Sequence, residues 1–266
     1  MPAIDLARLK THAARLSEKF SDPPAYLHGL HEYLEYYTNR TLRRSLVVRR
    51  ISLPTFYTPA PVLRQLEREL APLAESHPSE AIALAEALWQ SGSFESRLLS
   101  ARLLGMIPLE VAFPALSRIP EWLVQSTDKD IRTALLTDSL QRLRRENPQA
   151  FFQLAEEWLR SPRTGLQVWG LRAIIPMLNG PDFENLPAAF RILRPAIEMA
   201  GPSTQNDLQA CLVALAQVSP TETLVFLREI LNHDPDPMLV RTLRRILPSL
   251  QDELQTGLRD LLRTRS

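Results

Sequence analysis

A segment that recurs along the chain constrains its fold more than composition does. Phe152 to Leu178, FQLAEEWLRSPRTGLQVWGLRAIIPML, reads as an apolar helix carrying Leu-Ala-Glu and a Trp, then a short polar break, then a second helix. Seventy residues before it, Leu84 to Pro108 (LAEALWQSGSFESRLLSARLLGMIP) repeats that order of features, with Arg102 under Arg172. Seventy-two residues after it, Phe226 to Leu250 (FLREILNHDPDPMLVRTLRRILPSL) repeats it again, with Arg244 under Arg172 and Pro248 under Pro176. A recurring helix pair of this kind buries its apolar face only against its neighbours.

First-helix centres fall near Leu88, Trp122, Trp158, Ile197 and Ile230, at separations of 34, 36, 39 and 33 residues. Second helices are expected over Glu95 to Ile107, Asp128 to Leu143, Leu166 to Leu178, Gln205 to Val218 and Pro237 to Leu250. Ahead of them, apolar spacing predicts helices over Ile4 to Phe20, Pro23 to Tyr37 and Val62 to Ala74. Sustained alternation is absent, so no strand is expected. The pattern predicts an all-α fold, an α-solenoid of HEAT-like helix pairs, and excludes a sheet-based enzyme. One domain over residues 1–266 is expected, with N-terminal helices over 1–75, regular pairs over 76–250 and a C-terminal capping helix over 251–266.

Punctuation supports the reading. Pro is abundant at 22 residues and Gly scarce at 8. Asp22-Pro23, Asn147-Pro148, Ser219-Pro220 and Asp236-Pro237 each place an N-cap before a proline at the first helical position. Ser219 and Glu222 are also spaced as a capping box.

Composition removes several function classes. No apolar run approaches a membrane span, and the N-terminal MPAIDLARLKTHAARL carries charges where a signal peptide needs an apolar core, so a soluble cytoplasmic protein is expected. Cys211 is the only cysteine and reads as a buried apolar residue; His28 and His31 have no third ligand nearby and read as a solvated helix face. No metal or cofactor is therefore expected, and no nucleophilic triad or Gly-rich phosphate loop is present. The 31 basic and 30 acidic residues nearly cancel, so any nucleic-acid site must be local. Arg40, Arg43, Arg44, Arg49 and Arg50 form one concentration of charge, either contacting phosphates or pairing with Glu32 or Glu35.

On the helix Leu166 to Leu178, about 100° per residue places Val168, Leu171, Ile175 and Leu178 in the core, with Trp169, Arg172 and Pro176 on one flank. Val240, Leu243, Leu247 and Leu250 repeat that core, with Arg241, Arg244 and Pro248 on the flank. Arg102 holds the same place on the earlier copy. Second helices line the inner face of a solenoid, so these arginines would line one concave groove suited to a phosphate backbone. The alternative is that each packs on a neighbouring repeat and pairs with Glu86, Glu157 or Glu229.

Pro61-Val-Leu-Arg64, the block Trp89 to Gly105 and Trp169-Gly-Leu-Arg172-Ala173 after Glu-Trp-Leu-Arg-Ser161 resemble the HEAT-repeat DNA alkylation-repair glycosylase family over about Thr58 to Leu250. The resemblance implies a protein that binds duplex DNA and excises cationic N-alkylated purines without metal or cofactor. In that family a carboxylate and two Trp rings stabilise the developing sugar cation. The family's Trp-Asp-x-x-Asp falls on Thr137-Asp138-Ser139-Leu140-Gln141, which leaves Asp138 as the carboxylate to nominate as catalytic, and its second Trp falls on or near Arg245. An i, i+4 pair with Arg142 is the structural alternative for Asp138. The DNA-binding residues implied are Arg102, Arg142, Arg145, Trp169, Arg172, Arg241, Arg244 and Arg245, in a monomer. A scaffold gripping a protein or peptide is the rival reading.

Overall fold

The computed structural model describes residues 5–38, 53–180, 183, 185–198, 201–233 and 236–263. The segment holding Arg40, Arg43, Arg44, Arg49 and Arg50 lies outside the described residues. Among the described residues the regular structure is helical, with no strand. The helices are α1 (Leu6–Ser17), α2 (Pro23–Tyr36), α3 (Ala60–Ser76), α4 (Pro78–Gln90), α5 (Phe94–Leu104), α6 (Leu109–Leu116), α7 (Ile119–Gln125), α8 (Lys129–Thr137) and α9 (Gln141–Glu146). They continue as α10 (Pro148–Leu159), α11 (Thr164–Leu178), α12 (Leu186–Glu198), α13 (Gln205–Val218), α14 (Pro220–Leu231), α15 (Pro237–Ile246) and α16 (Asp252–Arg263). The chain divides into two compact units, 1–146 and 147–266.

Each unit has two layers. In the first, α1, α3, α5 and α8 pack in succession in one layer and α2, α4 and α6 in the other. In the second, α11, α13 and α15 form one layer and α10, α12, α14 and α16 the other. Consecutive helices form hairpins across the layers, as α4 with α5 and α10 with α11 do. This is helical-repeat packing: each element's apolar stripe is covered by the same element of the next repeat. Trp89 and Trp122, one repeat apart, stack with centroids 4.5 Å apart and planes 6° from parallel.

Three of the four caps form. Asp22 accepts from the Ala25 amide at 3.1 Å, Asn147 from Ala150 at 3.0 Å and Asp236 from Met238 at 2.6 Å. Ser219 holds the cap position but its side chain bonds no amide, so the expected capping box is not made. Prolines also sit within helices, at Pro72, Pro114 and Pro195 and, as its repeat position implied, at Pro176.

The buried arc of α11 differs from the expected one. Trp169, Gly170, Leu171, Ala173, Ile174 and Leu178 are buried, whereas Val168 and Ile175 are half-buried. A helix covered on two sides buries a wider arc than one stripe, and here the arc takes in Trp169, which is 8% exposed. The expected flank is thereby divided: Trp169 lies in the core and Arg172 on the surface. Cys211 is buried as expected, its thiol against the Leu171 carbonyl at 3.2 Å.

Candidate functional site

The helix expected over Asp128 to Leu143 is interrupted. Asp128 caps its start, accepting from the Asp130 amide at 2.8 Å, but α8 stops at Thr137 and helix resumes at Gln141. Tertiary groups hold the break. The final carbonyls of a helix lack partners within it, and the Arg144 guanidinium takes two of them, donating to Leu136 O at 2.8 Å and to Thr137 O. The two bonds hold this guanidinium against the end of α8, and burial there pushes its pKa down to about 10. Ser139 Oγ donates to Ala101 O at 2.8 Å, pinning the break to α5. Gly105, at the end of α5, lets the Asp138 carbonyl come within 2.0 Å of where a Cβ would stand.

The interruption presents Asp138. Its Oδ2 accepts from Arg102 Nε at 3.2 Å and its Oδ1 from Thr137 Oγ1 at 3.0 Å. Arg102 Nη1 also donates to Glu67 of α3, so one guanidinium bridges two carboxylates. The ion pair of Asp138 is with Arg102, not with Arg142 as its i, i+4 spacing suggested. These groups line an open cavity of about 750 Å³ in the first unit, together with Arg64, Phe94, Met106 and Gln141. Asp138 and Gln141 thus share one cavity. Arg64 is exposed and has no ion pair among the described residues.

The cavity is lined by Thr58, at the end of the segment 55–58. Glu95, 2% exposed, gathers it: one carboxylate oxygen accepts from Thr55 Oγ1 at 2.9 Å, the Phe56 amide at 3.0 Å and the Thr58 amide at 3.2 Å. The three bonds hold Tyr57 at φ 54°, a left-handed conformation unusual for a residue with a side chain. Glu67, Phe94 and Glu95 escaped the sequence reading. A signal for Glu67 existed: Glu67, Arg102 and Asp138 are 35 and 36 residues apart, one repeat each.

That interval recurs in other polar contacts. Arg172 donates to both Asp207 oxygens, at 2.6 and 3.3 Å; Arg191 reaches Glu156 at 2.8 Å and Arg194 reaches Glu229 at 2.7 Å, each across 35 residues. Of the glutamates expected to cap the recurring arginines, Glu229 serves Arg194 and Glu86 serves Arg118. Arg102 and Arg172 are instead held by Glu67, Asp138 and Asp207.

The remaining nominated arginines fall into two kinds. Arg142 is half-buried, donating to Glu75 at 2.5 Å, Glu146 at 2.8 Å and Met106 O at 2.9 Å. Arg145 is exposed and bonds Glu146 at 2.8 Å. Arg241, Arg244 and Arg245 are exposed on α15, and Arg241 and Arg245 have no ion pair among the described residues. His28 and His31 are exposed and face Glu32 and Glu35 at 3.5 Å; among the described residues no three ligating side chains gather as a metal site. No helix among the described residues is long and apolar enough to cross a membrane.

No curated protein matches the sequence. Crystal structures of two engineered proteins from the Northeast Structural Genomics Consortium are similar to it. One is 15% identical, with TM-score 0.43, over 95% of this chain and 96% of its own; the other is 16% identical, with TM-score 0.36, over 98% and 69%. Likenesses of that order carry no functional argument. The family model described as DNA alkylation repair enzyme matches residues 52–239, which include the Arg102, Asp138 and Arg172 sites, and the chain belongs to that family.

Proposed function

We propose that the protein binds duplex DNA and excises cationic N-alkylated purines, acting as a cytoplasmic monomer, with Asp138 as the group that stabilises the reacting sugar. The observation that carries this reading is the Asp138 carboxylate at an open cavity, held from two sides by Arg102 and Thr137. An alkylated purine is already cationic and leaves readily as its glycosidic bond breaks; positive charge then develops on the sugar, and water adds there. A fixed carboxylate about 4 Å from that charge contributes about 4 kcal/mol at an effective dielectric near 20, or about a thousandfold in rate. Glu67 adds a second carboxylate and Arg102 offsets one of the two, so the triad has one net negative charge for the cation.

Backbone contacts in this reading fall to the arginines that have no carboxylate partner among the described residues, Arg64 in the first unit and Arg241 and Arg245 in the second. Arg102 and Arg172 serve as framework, offering phosphate only the donors their carboxylates leave. Release of alkylated purine from methylated duplex tests the chemistry: Asp138→Asn should lower the rate about a thousandfold with duplex affinity unchanged. A wild type that releases nothing defeats the catalytic reading. A salt titration tests binding, since each phosphate contact gives a slope of about −0.9 in log affinity against log salt, and Arg64→Gln or Arg241→Gln should each remove about one contact.

The pairing of Arg102 and Arg172 with carboxylates of adjacent repeats favours one other reading, a scaffold for a protein or peptide. Under it no purine is released and duplex affinity shows no such slope.

A further inference from the structure

The hairpin of α1 and α2 precedes the family-matched segment, which begins at residue 52, and it carries a surface the reading above does not use. Arg8, His12 and Arg15 occupy positions i, i+4 and i+7 of α1, within about 60° of arc at 100° per residue. Lys19 follows in the turn and lines the same cavity as His12 and Arg15, about 530 Å³ in volume. Arg8, Arg15 and Lys19 are exposed, and none has an ion pair among the described residues. Cations left unpaired on one helix face lower their energy by meeting a row of anions.

Beside this row stands an ordered aromatic ring. Tyr36 is 54% exposed, although its ring is held in T-shaped contacts by His12, with centroids 5.3 Å apart at 73°, and by Tyr37, at 4.8 Å and 82°. The Arg8 guanidinium sits 4.9 Å from its centroid, over one face. Tyr37 is itself fixed, its hydroxyl 3.2 Å from His12 Nδ1. A ring immobilised at the surface next to cations offers an unpaired base a stacking partner at small entropic cost. Glu18 and Glu32 also line the cavity. They repel phosphate but can accept from a base N–H such as thymine N3–H, which places the bases on the cavity side and the backbone along the arginines.

We propose that the hairpin is a binding site for single-stranded nucleic acid, its backbone along Arg8, Arg15 and Lys19 and a base against Tyr36. Stacked and paired bases of a duplex cannot reach that ring, so the surface selects unpaired strand. The row from Arg8 to Arg15 is about 10 Å long at 1.5 Å per residue, the reach of a few nucleotides of unpaired strand.

The test is anisotropy of a labelled fifteen-residue oligo-dT with the full chain, alongside an unmodified duplex of equal length. Wild type should bind the oligonucleotide with a log-log salt slope of about −2, from three contacts at about −0.7 each. The variant Arg8→Gln/Arg15→Gln/Lys19→Gln should lose at least about tenfold in affinity and most of the slope. Tyr36→Ala should lose about tenfold with the slope unchanged, while Tyr36→Phe keeps wild-type affinity. Duplex binding and purine release should stay as in wild type for all of them, which separates this site from the duplex reading. The proposal is overturned if folded wild type fails to bind oligo-dT, if either loss-of-function variant binds it normally, or if duplex affinity falls in parallel.

Discussion

Replacing Gly105 by Ala perturbs the seam that presents Asp138. The φ of Gly105 is −72°, which any residue adopts, so glycine is required there by space alone. A Cβ at that position stands 2.0 Å from the Asp138 carbonyl oxygen, 2.9 Å from its carbon and 3.4 Å from Ser139 Cα. All three are backbone atoms, so no side chain can rotate away. Ordinary carbon contacts lie near 3.5 Å, so the end of α5 and the break must part by about 1 Å or more. Two hydrogen bonds span the seam, Arg102 Nε to Asp138 at 3.2 Å and Ser139 Oγ to Ala101 O at 2.8 Å, and parting stretches both.

Overpacking costs about 1–3 kcal/mol and each lost bond about 1 kcal/mol, while the lower entropy of the unfolded chain returns about 0.4–1 kcal/mol. The net is about 2–4 kcal/mol, which lowers the melting temperature by about 5–15 °C for a chain of this size. Calorimetry measures it, with Gly201→Ala as control, since a Cβ at Gly201 meets nothing within 4 Å. The control should be neutral or slightly stabilising. A Gly105→Ala protein within about 0.5 kcal/mol of wild type would refute the steric reasoning.

Three further outcomes are expected. Hydrogen bonds from Arg142 hold the Glu75 and Glu146 carboxyls below their usual range, so the unfolded chain takes up protons first on acidification. Their contribution is present above about pH 4.5 and lost as pH falls through the lower folded values; Arg142→Gln should flatten the melting temperature against pH below about pH 5, and parallel curves would contradict it. Arg172→Gln strands Asp207, whose side chain is only 14% exposed, and should destabilise by about 1 kcal/mol, recovered in part by adding Asp207→Asn; an additive double variant would dissolve the pairing. Burial pushes the Cys211 thiol far up, so in the native protein it should react with a disulfide reagent only as the structure opens, and a burst within mixing time would show the site to be accessible.

How much was legible in the residues follows from the range of the interactions involved. Helix starts at Asp22, Asn147 and Asp236 were legible because an N-cap bonds amides only two or three residues ahead. Ser219 shows the limit even there: with φ −148° and ψ 98° it holds the cap position, yet its side chain bonds no amide. The cavity was half legible. Asp138 was nominated, but as a residue within a continuous helix, and Glu67 was not suspected.

By itself the sequence determined the repeating helix pair, its period, the absence of strands among the described residues and the burial of Cys211, since hydrophobic periodicity and single-residue burial are properties of one helix and its immediate neighbours. Only the tertiary structure decided that α8 breaks at 138–140, that Trp169 enters the core, and that Arg102 bridges Glu67 and Asp138. Each of these depends on how consecutive helices are offset when they stack, which sets side chains about one repeat apart against each other. That offset comes from interlocking side-chain shapes and the close approach at Gly105, contacts between residues more than thirty positions apart, which no local pattern encodes.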